Sequence, residues 1–180
     1  MAPPQIITVS GLPGSGTSTA CDQLCRRLGW SYVDAGQIFR QLARESGLSL
    51  AEFGQQAEAD GNIDRQLDGR MVAQAQAQAP IVVEGRLTGW MAYRNDLPAL
   101  KIWLEGAPEI RSRRVARRES KTAAQALVEM RQREASEAQR YQEHHNIRMD
   151  DLSIYELVIN TEEIDAQNVV AQILAHIEKS

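Results

Sequence analysis

The chain has 180 residues, of which 43% are hydrophobic and 24% charged, with a formal net charge of −4. A chain of this length buries about 70% of the surface its unfolded form exposes, so it needs no disulfide or metal staple to hold a core. The acidic balance speaks against broad nucleic-acid or acidic-membrane binding, which wants a basic surface, but leaves room for a local basic pocket.

In chain order, Ile6 to Ser10 is rich in β-branched apolar residues and reads as a buried strand. It is followed at once by the glycine-rich segment Gly11-Leu12-Pro13-Gly14-Ser15-Gly16-Thr17-Ser18-Thr19. Thr17 to Leu28 reads as a helix that Gly29 caps. Cys21 and Cys25 share one face of it and read as small core-facing hydrophobes, because two ligands alone make no zinc site. Few cysteines fit a reducing compartment, and the chain shows neither a signal-peptide pattern nor an apolar run of membrane-spanning length. Trp30 to Val33 is a second short strand, and Gln37 to Ser46 a helix. Ser49, with Glu52 three residues on, forms a capping box for the next helix. Ile63 to Ala79 is helical and ends in an Ala-Gln alternation.

Ile81 to Glu84 and Leu100 to Leu104 supply a third and a fourth strand. Pro108 suits the first position of a further helix. A long polar helix spans about Thr122 to Glu143, Leu157 to Asn160 is a fifth strand, and Asp165 to Glu178 a closing helix. Alternating strands and helices, with strands made mainly of continuous apolar stretches rather than apolar at every second residue, predict a three-layer α/β/α domain around a parallel sheet of about five strands. No linker divides the chain.

The glycine-rich segment lies between a strand and a helix, the setting in which such a loop holds phosphate. Its glycines allow positive φ and close approach of backbone to ligand. Its N–H groups then form an anion nest at a helix N-terminus. Ser18 is placed to offer a hydroxyl to magnesium. One residue departs from the usual G-K-[ST] ending: Thr17 stands where lysine is normal, and brings a hydroxyl but no charge.

Four further segments sharpen the reading. Asp34-Ala35-Gly36-Gln37-Ile38-Phe39-Arg40 follows the second strand, and Glu84-Gly85-Arg86 ends the third. Arg111, Arg113, Arg114, Arg117 and Arg118 form a dense basic cluster after the fourth. Arg133, Glu134, Glu137 and Arg140 fit the spacing R-[DE]-x-x-[DE]-x-x-R. In these segments the chain resembles the P-loop nucleoside monophosphate kinases, and within them the cytidylate kinases of the short archaeal-type form. The resemblance covers nearly the whole chain, and some archaeal-type members also carry Thr at the lysine position.

The resemblance implies ATP and Mg²⁺ as cofactors and CMP or dCMP as acceptor. Gly11 to Thr19 would bind ATP. Arg40, Arg86 and Arg140 would hold the acceptor phosphate, Arg133 and Glu137 its nucleoside, with Gly36 and Gly85 in the same acceptor segments. Ser18 and, through water, Glu84 would serve the metal. Arginine forks suit this task because they grip phosphate through paired hydrogen bonds. A lid pair, Arg113 and Arg117, one helical turn apart, would supply the charge Thr17 lacks, and Arg113, Arg117, Arg133 and Arg140 would be the catalytic arginines. The acceptor-binding helical segment would span about 36–79 and the lid about 111–140 of one domain.

Read alone, the Arg133, Glu137, Arg140 stripe is a solvated ion-pair face; beside a phosphate loop it reads as functional. The basic cluster could also be a nucleic-acid patch, but it lacks interleaved aromatics. In bacterial cytidylate kinases an Asp follows the Glu-Gly-Arg-like turn and helps read cytosine; here Leu87 and Ala35 stand at the base-reading positions. A kinase for another monophosphate or small phosphate acceptor therefore remains an alternative. So does a nucleotide-binding module without catalysis. The expectation is a cytoplasmic monomer that handles small nucleotides and binds neither nucleic acid nor membrane. His144, His145 and His176 read as surface residues, and Trp30, Trp90 and Trp103 as packing, with Trp90 nearest the acceptor side.

Overall fold

The computed structural model describes residues 4–179. Five parallel strands form one sheet in the order β2-β3-β1-β4-β5. These are β1 (Ile6–Gly11), β2 (Ser31–Asp34), β3 (Ile81–Glu84), β4 (Ala99–Glu105) and β5 (Leu157–Asn160). Every residue of β1 is buried, Thr8 and Ser10 included, as expected of the central strand of a sheet covered on both faces. Its neighbours pair in register, Ile6 with Ile81 on one side and with Ala99 on the other.

Successive side chains point to opposite faces, and the two faces carry separate cores. Ile6, Ile81 and Val83 pack under helices α2 (Ala35–Glu45), α3 (Leu50–Ala59) and α4 (Gly61–Ala77). Ile7, Val9, Val82 and Ile102 pack under α1 (Thr17–Leu28) and α8 (Ala166–Ile177). The three-layer expectation therefore holds. Helices α6 (Pro108–Glu119) and α7 (Ala123–His145) form a hairpin with a small core of its own: Val115, Ala116, Ala126 and Met130. No helix of the described residues is long and apolar enough to cross a membrane.

The local signals acted as their chemistry requires. Gly29 adopts the left-handed conformation at the end of α1, and Pro108 opens α6. The Ser49–Glu52 capping box is complete in both directions. Asp60 ends α3 in extended geometry, then caps α4 by accepting from the Asn62 N–H, so α4 begins two residues before the Ile63 read from the sequence. Helix α5 (Thr88–Arg94) was not legible. It is short and contains Gly89, where a Cβ would collide with the Tyr155 ring. The sequence signals a helix breaker there, but the structure needs close packing.

Candidate active site

The glycine-rich loop sits at the carboxyl end of β1, and its carbonyls face outward onto side-chain donors from elsewhere in the fold. Arg86 Nη1 donates to the Gly11 oxygen at 2.8 Å and Arg111 Nη1 to that of Pro13 at 3.0 Å. Arg114 Nη1 donates to the Gly14 oxygen at 3.3 Å and the Thr161 hydroxyl to that of Ser15 at 3.0 Å. The Ser15 N–H turns back onto the Leu12 carbonyl at 3.1 Å; with the other carbonyls tied back by side chains, the N–H groups from Gly16 into the first turn of α1 form a nest open to an anion. Gly14 has φ +81° and packs so closely on the Arg111 backbone that a Cβ would not fit. Gly16, at φ +93°, opens α1.

Glu84 ends β3 beside this loop and is 7% exposed. Its Oε1 accepts from the Thr17 hydroxyl at 2.6 Å and from the Ser18 hydroxyl at 2.7 Å, and its Oε2 accepts from the Tyr32 hydroxyl. Thr17 thus points at a carboxylate. A hydroxyl and a carboxylate within hydrogen-bond distance are hard oxygen donors, the chemistry that suits Mg²⁺. Among the described residues no group of three or more His, Cys, Asp or Glu could hold a metal by itself.

A cleft of about 610 Å³ runs from this loop between α2, α4 and α7. Of the expected residues, Leu12, Pro13, Gly14, Thr17, Ser18, Gly36, Arg40, Glu84, Gly85, Arg86, Arg133, Glu137 and Arg140 line it. Gly11, Ser15, Gly16 and Thr19 belong to the loop without lining the cleft. Glu137 bridges two arginines: Arg86 Nε donates to it at 3.1 Å and Arg133 Nε at 2.8 Å. Burial alone would raise this carboxyl, but the two guanidiniums outweigh it and hold it below its ordinary range. Arg40 is half exposed and pairs with Asp34 at 3.3 Å. Arg140 Nε lies 3.2 Å from Asp64 Oδ2.

The lid pair does not reach the cleft. Arg113 and Arg117 are exposed, whereas Arg118 lines it. The helical period explains the difference. Arg111, Arg114 and Arg118 recur at i, i+3 and i+7 and share the face turned to the loop, and Arg113 and Arg117 lie off it. Arg111 and Arg114 are structural clamps, a role that a run of arginines does not reveal.

The histidine expectation also needs correction. The His145 side chain is 7% exposed and lies between Asp64 and Asp68, with Nδ1 3.5 Å from Asp68 Oδ2. His144 is half-buried against Gly61, and His176 is half-buried. Trp90 is not part of the cleft; its ring meets Tyr93 edge-on at 5.9 Å. Trp103 is buried in the sheet core, as expected.

Asp64 and Asp68 were not picked out, although a signal existed. They sit one turn apart on α4 beside Ile63, Leu67 and Met71, so two carboxylates share the buried side of the helix. Burial pushes the Asp68 carboxyl up to about 6, against the pull of His145 and Arg94 and with the help of Asp64. A folded-state pKa above the unfolded value favours folding below about pH 4 and loses that contribution as pH rises through about 6. Asp68→Asn should therefore leave thermal stability unchanged near pH 4 and raise it by about 1–3 kcal/mol at pH 7. Melting curves across that range check this; a variant equally stable or weaker at pH 7 would contradict it.

Strand order and the loop after β1 define a P-loop kinase fold. Solved structures share it. An uncharacterized protein from Eubacterium ventriosum superposes with a TM-score of 0.74 at 15% identity, covering 97% of this chain and 99% of that one. A shikimate kinase from Acinetobacter baumannii does so at 0.64 and 16%, covering 99% and 94%. Residues 6–163 match the model of the cytidylate kinase-like family. The cytidylate kinase of Methanococcus maripaludis is 45% identical over 165 residues, 91% of this chain and 92% of that protein. That of Methanocaldococcus jannaschii is 42% identical over 178 residues, 97% and 99%. The chain belongs to the cytidylate kinase-like family.

Proposed function

We propose that this chain is an ATP-dependent cytidylate kinase that transfers the γ-phosphate of ATP to CMP or dCMP, giving ADP and CDP or dCDP. The observation that carries the reading is one cleft with a phosphate loop at one end and Arg40, Arg86, Arg133 and Arg140 along its walls. The similarity to cytidylate kinases over nearly their full length supports it.

In this reading the loop from Gly11 to Thr19 holds the ATP phosphates on its N–H groups. Ser18 and, through water, Glu84 would hold Mg²⁺, which neutralises charge on the phosphates when bound. Arg40, Arg86 and Arg140 orient the acceptor phosphate, and Arg133 and Glu137 its nucleoside. The acceptor is already an anion, so no strong base is required. Catalysis is positioning plus stabilisation of charge on the moving group. Arg118, rather than Arg113 or Arg117, is the α6 arginine suited to join Arg133 and Arg140 in that task. The segment 36–79 serves as the acceptor-binding part and 111–140 as a lid whose closure excludes water. A cytoplasmic monomer acting on small nucleotides fits the net charge of −4.

The test is ADP release with CMP, dCMP, UMP, AMP and GMP, each against ATP alone. Release should be slow without an acceptor and fastest with CMP or dCMP. Equal rates with and without any monophosphate would sink the kinase reading; a preference for another monophosphate would reassign the acceptor.

A further inference from the structure

We propose that Asp68, backed by Asp64, reads the exocyclic amino group of the acceptor base. The inference rests on the cytidylate kinase reading and names a specificity residue within it. The cleft has two chemically different parts. Its arginines suit phosphate, and its remaining wall, built from Leu67, Met71, Leu87, Met91 and Tyr141, suits the faces of a base. Asp68 lines the cleft too and lies one residue after Leu67.

The other cleft carboxylates are already engaged. Asp34 caps α2 through the Gly36 N–H and pairs with Arg40. Glu58 accepts from Ser136, Glu84 from Thr17 and Ser18, and Glu137 from Arg86 and Arg133. Asp64 is 4% exposed and faces Arg140, and its Oδ2 makes no hydrogen bond. Among the described residues Asp68 accepts no hydrogen bond; it has the ion-pair approach of His145 and the more distant pull of Arg94, and keeps 16% of its side chain exposed. Among the neutral positions, Leu87 carries no polar atom, the Thr88 hydroxyl is held by Ser10 and the Gly85 carbonyl, the Ser136 hydroxyl donates to Glu58, and the Tyr141 hydroxyl accepts from Arg140.

The chemistry matches one base edge. Cytosine presents an amino donor beside the N3 acceptor, whereas uracil presents a carbonyl beside an N–H. An ionised carboxylate only accepts, so it pairs with the amino group and repels the uracil carbonyl. Asp64 behind it keeps a second negative group on that side. His145, wedged between the two, fixes their spacing and acts as a positioning residue.

The test compares kcat/KM within each protein at saturating ATP, so that loss of stability cancels from the ratio. The substrates are CMP, UMP and the 5′-monophosphate of pyrimidin-2-one riboside, which lacks the amino group. Wild type should favour CMP over the deaminated analogue by about 10- to 100-fold, the range for a hydrogen bond to a charged group. Asp68→Leu should bring the two substrates to within about threefold of each other, with the KM for ATP unchanged. Asp68→Asn, whose amide can turn to serve either base, should lower the CMP to UMP ratio at least tenfold. Unchanged ratios in either folded variant overturn the inference. Equal use of CMP and the analogue by wild type overturns it without any variant. If wild type uses no pyrimidine monophosphate at all, the cytidylate kinase reading falls first and takes this inference with it.

Discussion

Arg86→Ala should lower turnover with CMP by about 10³, equivalent to about 4 kcal/mol of transition-state stabilisation. Arg86 has its Nε on Glu137 and its Nη1 on the Gly11 carbonyl, so it stands between the acceptor wall and the phosphate loop. In the proposed reading its removal takes a fork from the acceptor phosphate, and it frees a loop carbonyl in the same step. The KM for ATP should therefore rise as well, by severalfold. Arg40→Ala gives the contrast. Arg40 is half exposed and touches Asp34 rather than the loop, so its loss should cost rate while leaving ATP affinity and the melting temperature nearly unchanged. Arg86→Lys keeps the charge but not the paired geometry, and should recover little. The measurement is steady-state kinetics with CMP varied, beside a melt of each variant. Near-normal turnover in both alanine variants would mean that the acceptor site lies elsewhere.

The second large effect is on stability. Arg111 is 3% exposed in its side chain and is surrounded by acceptors: the Gly106 oxygen at 2.8 Å, the Pro13 oxygen at 3.0 Å and both oxygens of Glu134. Arg111→Ala leaves Glu134 partly buried without its partner and two carbonyls without their donor. Breaking a buried pair in this way costs about 3–5 kcal/mol. For a chain of this size that is a fall in melting temperature of roughly 6–20 °C. Glu134→Ala should cost a similar amount, and the double variant much less than the sum, because the second change removes a charge already stranded. A loss under about 1 kcal/mol, typical of an exposed pair, would show that the arginine is not the clamp described.

These two arginines also mark what the sequence can and cannot disclose. Arg86 follows a strand-ending glutamate and a glycine, so its place at the mouth of the sheet could be read from three consecutive residues. Arg111 sits in a run of five arginines over eight positions, and only the direction of the α6 axis decides which of them face the loop. The strands were legible because β1 and β3 are mainly apolar with no regular polar alternation, and the structure buries every one of their residues, which a doubly covered sheet requires. Helix α5 was not, because Gly89 is there for the Tyr155 ring, a contact 66 positions away in the chain. Asp64 and Asp68 were overlooked for a similar reason. Their meaning depends on α7 bringing Arg140 and His145 over them, and no spacing within α4 predicts that meeting.

The four outward carbonyls of the loop have a consequence for the thermodynamics of nucleotide capture. A glycine-rich segment left to itself samples many conformations, and a ligand that must order it loses affinity in proportion. Here Arg86 after β3, Arg111 and Arg114 on α6 and Thr161 after β5 fix the segment from three directions. The ordering entropy is thus lost when the chain folds, and in the proposed reading ATP would meet a nest that is already shaped. A loop built this way can dispense with the lysine that elsewhere draws the phosphates in, because rigidity lowers the free-energy cost that the missing charge would otherwise have to offset.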